Sequence, residues 1–289
     1  MSAILETANA KINLTLKVLG KRADGYHLLE SLVIFADVAD RLTCAEADHL
    51  SLELSGPFAS ALEGESDNLI LEAARRMAVE MDRTPDLAFR LEKNLPVASG
   101  IGGGSADAAA AMRTLVRLWG DPESSLEDIA LSLGADVPVC LRKKPSLMSG
   151  IGEALQPLQT MPELDAILVN PGVAVSTKEV FKALGASQGW DMDKTTEAPS
   201  LKNKRDVLDY LMAHPNDLEA PAVRVQPAIA DVLNAIRETE NCQFARMSGS
   251  GASCFGLYDN PFDAAEAAAA LKETHPDWWI VATRFKGTQ

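Results

Sequence analysis

The sequence lacks the features that would place it in a membrane, in a disulfide scaffold or on nucleic acid. No apolar run approaches the roughly 18 residues that a membrane-crossing helix needs. The four cysteines, Cys44, Cys140, Cys242 and Cys254, contain no C-x-x-C pair and match no zinc spacing. They read as buried free thiols of a reducing compartment. Basic residues are outnumbered, with 27 Lys and Arg against 41 Asp and Glu, for a formal net charge of −14. Such a chain does not present the broad basic surface that nucleic acid requires. The opening residues, Met1-Ser2-Ala3-Ile4-Leu5-Glu6, have neither a basic n-region nor an apolar h-region. No secretory signal and no membrane partner are expected, and the expected location is cytoplasmic.

What is present suits an α/β (α+β) protein of two domains. A length of 289 residues exceeds one small core. The division falls near Gln156-Pro157 and Met161-Pro162, giving domains 1–155 and 156–289. Ile12, Leu14, Leu16 and Val18 alternate with polar residues, which predicts a half-buried strand over 11–18. Lys11, Asn13 and Thr15 then share the opposite face, either as a solvated surface or as working groups. Further strands are expected at 29–38, 49–54, 86–93, 165–169, 243–247, 253–258 and 278–285. A helix capped by Ser66 or Asp67 runs to about residue 82, and another follows Gly104 to about Leu118. Ser124 with Glu127, and Ser176 with Glu179, form capping boxes for helices that Gly134 and Gly185 end. A last helix covers 261–274. The polar stretch from Ala186 to Lys204 reads as a mobile loop.

Pro96-Val97-Ala98-Ser99-Gly100-Ile101-Gly102-Gly103-Gly104-Ser105-Ala106-Asp107 leads directly into a helical alanine run. Glycine admits φ > 0 and close approach to the backbone, and a helix start supplies unpaired N–H donors and a positive dipole end. The stretch is either a turn or a phosphate cradle. A cradle in so acidic a chain must rely on local donors. It is not a P-loop, because no Lys-Ser/Thr closes it. Nor is it a dinucleotide fingerprint, because Ser105 stands where the final glycine belongs and no strand leads to Asp121. The H-R-D and D-F-G signatures of protein kinases are absent.

Other residues stand out. Gly20-Lys21-Arg22-Ala23-Asp24-Gly25-Tyr26-His27 is a turn-rich loop holding one of only three tyrosines. Asp136 follows a predicted helix end, and Pro138 biases Val137 to extended backbone. Asp136 is therefore expected on a rigid helix-to-strand turn, opposed to the helix dipole. Met247-Ser248-Gly249-Ser250-Gly251-Ala252-Ser253 lies between two strands, as a hairpin turn or a close backbone approach. A glycine-serine loop, an acid on a rigid turn and a lysine on an early strand match what phosphoryl transfer requires.

These residues resemble the GHMP kinase superfamily in identity, order and spacing. The resemblance rests on Ala8-Asn-Ala-Lys11-Ile-Asn13-Leu, Pro96-x-x-x-Gly100-Ile-Gly-Gly-Gly-Ser105-x-Asp107-Ala-Ala, Gly134-Ala-Asp136-Val-Pro138 and Ser248-Gly-Ser-Gly251. Lys11 to His27, Asp67-Asn68-Leu69, Gly150-Ile-Gly-Glu153 and Asn216-Asp217-Leu218-Glu219 are similar to the branch that phosphorylates 4-diphosphocytidyl-2-C-methyl-D-erythritol in non-mevalonate isoprenoid synthesis. Mevalonate, galactose and homoserine kinases differ over 11–27. Another small-molecule GHMP kinase is the alternative.

The resemblance implies a two-domain fold with the active-site cleft between the domains, and ATP with Mg2+ as cofactors. It implies Asp136 as general base and Lys11 as the charged neighbour that keeps it ionised. Asn13, Tyr26 and His27 would hold the cytidine diphosphate-linked substrate, with Pro171 to Thr177 completing the pocket. Pro96, Val97, Ala98, Ser99, Gly100, Ile101, Gly102, Gly103, Gly104, Ser105 and Ala106 would wrap the ATP phosphates. Ser248 to Ser253 would support the transferred group. Ala98-Ser99 and Ala106 depart from the family pattern, which leaves Ser105 as the hydroxyl at the helix start to reach phosphate or metal. No magnesium ligand is singled out, and Arg142-Lys143-Lys144 fits no pattern. The expected assembly is a monomer or weak homodimer.

Overall fold

A computed structural model describes residues 3–64, 68–122, 125–185 and 196–288. In chain order the elements are β1 (Ile4–Asn13), β2 (Lys17–Lys21), β3 (His27–Glu46), β4 (Ser51–Ser55), α1 (Leu69–Glu80), β5 (Leu87–Glu92), α2 (Gly103–Trp119), α3 (Leu126–Leu133), α4 (Val137–Arg142) and β6 (Ser146–Gly150). There follow β7 (Ala154–Pro157), β8 (Leu164–Asn170), α5 (Thr177–Leu184), α6 (Lys204–Ala213), α7 (Glu219–Val225), α8 (Ala228–Glu238), β9 (Phe244–Met247), β10 (Cys254–Tyr258), α9 (Pro261–Thr274) and β11 (Trp279–Phe285). This is a mixed α/β architecture. Among the described residues no helix is long and apolar enough to cross a membrane.

The chain forms two compact units. The first comprises the described residues of Met1–Ala10, Val38–Val97 and Gly102–Lys143, and the second those of Lys11–Asp37, Ala98–Ile101 and Lys144–Gln289. In the first unit the C-terminal part of β3 pairs antiparallel with β5, and β5 pairs parallel with β4. Helix α1 packs on α2 and α3, and α2 on α4. The spacing of Ile70, Ala73, Ala74 and Met77 puts them on one buried face of α1. Ala108 to Ala111 are all buried in α2, and residues this small let neighbouring helices approach closely.

The second unit contains the sheet order β9-β10-β8-β11, all antiparallel. Every residue of β8 is buried, and α8 and α9 pack on this sheet. Ile229, Val232, Leu233 and Ile236 of α8 supply its buried stripe. The N-terminal part of β3 pairs with β2 and β6, and β6 with β7.

Several expectations change. The strand expected at 11–18 is two strands, β1 and β2, interrupted at 14–16. Its polar face is not solvated: Asn13 and Thr15 are buried, and both are hydrogen-bonded to neighbouring strands. Asn13 Nδ2 donates to Ser31 Oγ at 2.7 Å, Ser31 Oγ donates to the Thr15 carbonyl at 2.6 Å, and Leu32 N donates to Thr15 Oγ1 at 2.9 Å. Pro138 starts a helix instead of ending one, because a first-turn residue needs no N–H partner. Gly134 ends α3 with extended backbone, not in the left-handed region. Asn68 caps α1 and Ser125 caps α3, each accepting a backbone N–H. Ser66, Asp67, Ser124 and 186–195 of the expected loop lie outside the described residues. The cap of α5 by Ser176 and its stop at Gly185 match the expectation. The four cysteines are free, with Cys44, Cys140 and Cys254 buried. Burial pushes the Cys44 thiol up to about 12.

Candidate active site

The glycine stretch contributes to both units. In the first unit, Pro96 and Val97 follow β5, and Gly102 to Ala106 open α2. Gly102 takes the left-handed conformation (φ 65°) as N-cap, and no side chain caps the helix. Ala106 N donates to the Gly102 carbonyl at 2.8 Å, closing the first turn. The N–H groups of Gly103, Gly104 and Ser105 are the ones an α-helix start leaves without intrahelical partners. Ser105 is half-exposed at that end.

Beneath this turn lies a charged cluster that the sequence reading missed. Lys93 Nζ donates to Asp40 Oδ2 at 2.5 Å and to Asp107 Oδ2 at 2.6 Å, and the three side chains are at most 4% exposed. Asp40 Oδ1 also accepts Asn94 N and Leu95 N, at 2.6 and 2.8 Å. Asp107 Oδ1 makes no hydrogen bond. Burial pushes the Asp107 carboxyl up to about 7, with Asp40 adding to the shift against the pull of Lys93. A Cβ on Gly103 would lie 3.2 Å from Lys93 Nζ, so the ammonium sits directly against the helix start.

Asp136 also belongs to the first unit. It is half-exposed and stands as N-cap of α4. An acid there faces the positive end of a helix dipole, a favourable placement. This reverses the opposition expected from the sequence. The Arg142-Lys143-Lys144 run is partly structural: Lys143 Nζ donates to Thr7 Oγ1 at 2.8 Å, and Arg142 pairs with Glu127 at 3.4 Å.

In the second unit three segments converge. Lys11 is buried in β1, and its backbone N–H donates to the Ile101 carbonyl at 2.9 Å. Asn13 N donates to Ser248 Oγ at 3.0 Å, and that hydroxyl donates to the Gly100 carbonyl at 3.0 Å. Ser253 N donates to the Ser99 carbonyl at 3.0 Å. The 247–254 segment is the hairpin between β9 and β10, and it is also a close backbone approach. A Cβ on Gly100 (φ +77°) would lie 2.6 Å from the Ser248 carbonyl and 2.7 Å from that of Gly251. Ala98 takes φ 49°, a conformation glycine adopts freely and alanine at some cost.

A second group in the same unit surrounds His27. Its ring stacks on Phe181 of α5, with centroids 4.3 Å apart and planes 14° from parallel. Lys21, Gly25, Thr177, Lys178 and Lys182 line a cavity of about 670 Å³ with this pair. Burial first, and the Lys21 charge second, lower the His27 pKa, so the ring is neutral at pH 7. Thr177 Oγ1 lies 2.8 Å from Ser250 Oγ, tying α5 to the hairpin. Tyr26 does not line this cavity: it is 59% exposed on a tight turn, where Arg22 N donates to its carbonyl at 2.7 Å. Pro171 follows β8 and is half-exposed. Phe181 was missed by the sequence reading, although it lies one helical turn beyond Thr177 on a helix whose cap was read correctly.

Comparison with known proteins extends this picture. Residues 68–144 match the GHMP kinases N terminal domain and residues 199–277 the GHMP kinases C terminal family. A 4-diphosphocytidyl-2-C-methyl-D-erythritol kinase of Parvibaculum lavamentivorans is 50% identical over 288 residues, covering 98% of this chain and 99% of the relative. A crystal structure of 4-(cytidine 5'-diphospho)-2C-methyl-D-erythritol kinase superposes with a TM-score of 0.78 at 33% identity, covering 98% of this chain and 100% of the other. Homoserine kinase from Cytophaga hutchinsonii shares the fold at a TM-score of 0.69 and 17% identity, covering 99% and 95% of the two chains. With half of its residues shared over nearly its whole length, the chain belongs to the 4-diphosphocytidyl-2-C-methyl-D-erythritol kinase family of the GHMP kinases.

Proposed function

We propose that the protein transfers the γ-phosphoryl group of ATP to the 2-hydroxyl of 4-diphosphocytidyl-2-C-methyl-D-erythritol. The observation that carries this reading is the 50% identity across 98% of the chain to a relative named for that activity. The His27–Phe181 pair supports it, since a stacked, neutral, flat surface beside three lysines suits an aromatic base attached to phosphates. His27 and Thr177 bind the cytidine end, with Phe181 as an added face, and Asn13, Tyr26 and Pro171 complete the substrate contacts.

Pro96 to Ala106 hold the ATP phosphates, with the open first turn of α2 supplying N–H donors. These local donors answer the problem posed by the net charge of −14. Asp136 accepts the hydroxyl proton as the O–P bond forms, and Lys11 is its charged partner. Mg2+ when bound supplies charge neutralisation on the phosphates. Among the described residues no group of three or more His, Cys, Asp or Glu gathers to cage a metal. Mg2+ generally keeps several waters and leans on substrate phosphates with one or two protein oxygens. The half-exposed Ser105 hydroxyl would hold it. The family matches at 68–144 and 199–277 support one domain within 1–155 and one within 156–289, with 11–37, 98–101 and 144–155 packing into the second compact unit. The enzyme acts as a monomer or weak homodimer in the cytoplasm, with no nucleic acid or membrane partner.

The base assignment is tested by Asp136→Asn. General-base catalysis contributes about 10²–10⁴-fold. The variant should keep its melting temperature and its ATP affinity while kcat falls by that factor. Near-normal turnover would refute the assignment.

A further inference from the structure

Asn216-Asp217-Leu218-Glu219, a motif with no role so far, lies in the second unit immediately before and at the start of α7. Asn216 is 5% exposed. Its Nδ2 donates to two carbonyls of the β9–β10 hairpin, Met247 and Gly249, each at 2.9 Å. Its Oδ1 accepts Leu218 N at 2.9 Å. Two acceptors face one end of the carboxamide and one donor the other, so the amide can sit only one way round. Glu219 Oε2 adds a third tie to the hairpin by accepting Met247 N at 2.9 Å.

The hairpin held in this way has little slack. Ser248 lies between the two anchored carbonyls, and its hydroxyl joins Asn13 N to the Gly100 carbonyl. A Cβ on Gly249 (φ +57°) would lie 2.9 Å from the Gly100 carbonyl oxygen and 3.2 Å from Asn13 Oδ1. Any rotation of the 247–249 peptides is therefore passed to both neighbours. The peptide after Gly249 is trans, so directing its carbonyl at Asn216 also directs the Ser250 N–H the opposite way.

We propose that Asn216 is a positioning residue for the reaction: by holding the Met247 and Gly249 carbonyls it places Ser248, and through Ser248 it sets both Asn13 and Gly100. This rests on the reading above that Asn13 holds the phosphoryl acceptor and Gly100 belongs to the ATP loop. Asn216 is buried with both ends of its carboxamide engaged, so it acts through the hairpin. Its neighbour Asp217 serves the same turn without touching the hairpin: Asp217 Oδ2 accepts Val18 N at 2.8 Å, and Asp217 N donates to the Leu16 carbonyl at 2.8 Å. Asp217 is thus a control for purely structural damage.

The experiment measures KM for ATP, KM for the cytidine diphosphate-linked methylerythritol, kcat and melting temperature in Asn216→Asp, Asn216→Ala, Asp217→Ala and Asn13→Ala. Asn216→Asp turns an oxygen toward two carbonyl oxygens and should rotate the hairpin. Both KM values should rise about tenfold and kcat should fall about 10²-fold, the scale of a misplacement near 1 Å. Asn216→Ala should move the same three parameters in the same direction by less. Asp217→Ala should lower the melting temperature with both KM values within twofold of wild type. Should Asn216→Asp not accumulate as folded protein, Asn216→Ala decides. If the Asn216 variants lose only stability, with both KM values unchanged while Asn13→Ala raises them, positioning by Asn216 is refuted and the site reading stands. If Asn13→Ala leaves the KM for the acceptor unchanged as well, the site reading fails and the proposal with it.

Discussion

Replacing Lys93 by methionine probes the charged cluster under the helix start. The ammonium is 2% exposed and bonded to two carboxylates, at 2.5 and 2.6 Å. Methionine keeps most of the side-chain length and removes the charge. Breaking a buried pair by removing one partner costs about 3–5 kcal/mol, because the other charge is left uncompensated. Here Asp107, whose pKa burial already raises, takes up a proton once the ammonium is gone, so Asp40 is left as the uncompensated charge and the cost is about 3–5 kcal/mol. Total stability of a typical domain is about 5–15 kcal/mol, so the variant should be near its threshold at 25 °C. The assay is guanidinium unfolding followed by tryptophan fluorescence, comparing Lys93→Met, Asp107→Asn and the double variant. Asp107→Asn mimics the protonated carboxyl, so the double variant should be about as stable as Lys93→Met at pH 7 and more stable than it at higher pH. A loss below about 1 kcal/mol in Lys93→Met would place the cluster among weak surface-like pairs and refute the reasoning.

Three further outcomes follow from the same structure. The raised Asp107 pKa means the folded state holds a proton that the unfolded state releases at the ordinary aspartate value, near 3.8, while the folded state keeps it to about 7. Stability from this group is fully present below pH 3.8 and falls as pH rises to about 7; Asp107→Asn should lack that part of the decline in unfolding midpoints measured between about pH 4 and 7. Phe181→Ala removes the stacking face of His27 and should weaken cytidine nucleotide binding, read by calorimetry, by about 0.5–1.5 kcal/mol; unchanged affinity would remove Phe181 from the pocket. His27 is already neutral at pH 7 because burial and Lys21 lower its pKa. Substrate affinity should therefore hold steady between pH 7 and 8 and weaken only as the pH drops below the usual histidine range; a fall on raising the pH would contradict a neutral ring.

The parts of the site that local backbone chemistry dictates were legible in the sequence. Glycine at 102 admits the left-handed cap that opens α2, and Ser176 accepts Glu179 N as a capping box predicts. The hairpin at 248–253 was visible because glycines between two apolar alternations mark both a turn and a close approach. What was missed depends on partners distant in the chain. Lys93 closes the strand expected at 86–93, and only the fold brings Asp40 and Asp107 to it. Asn216 likewise acts on carbonyls about 31 and 33 residues away. Asn13 and Thr15 were placed on a face that could be wet, and tertiary contacts buried it. Pro138 follows a helix end in the sequence yet lies in the first turn of α4, where a helix tolerates proline. The apolar stripe of α8 follows the helical period and could have been read directly.

Acceptor choice tests the central claim most directly. Purified protein with ATP and Mg2+ is offered 4-diphosphocytidyl-2-C-methyl-D-erythritol, mevalonate, homoserine and galactose in parallel, and ADP release is followed for each. The account predicts turnover of the cytidine diphosphate-linked acceptor, with the product phosphorylated at the 2-hydroxyl, and background rates for the other three. Turnover of mevalonate, homoserine or galactose, with none of the first acceptor, would contradict it.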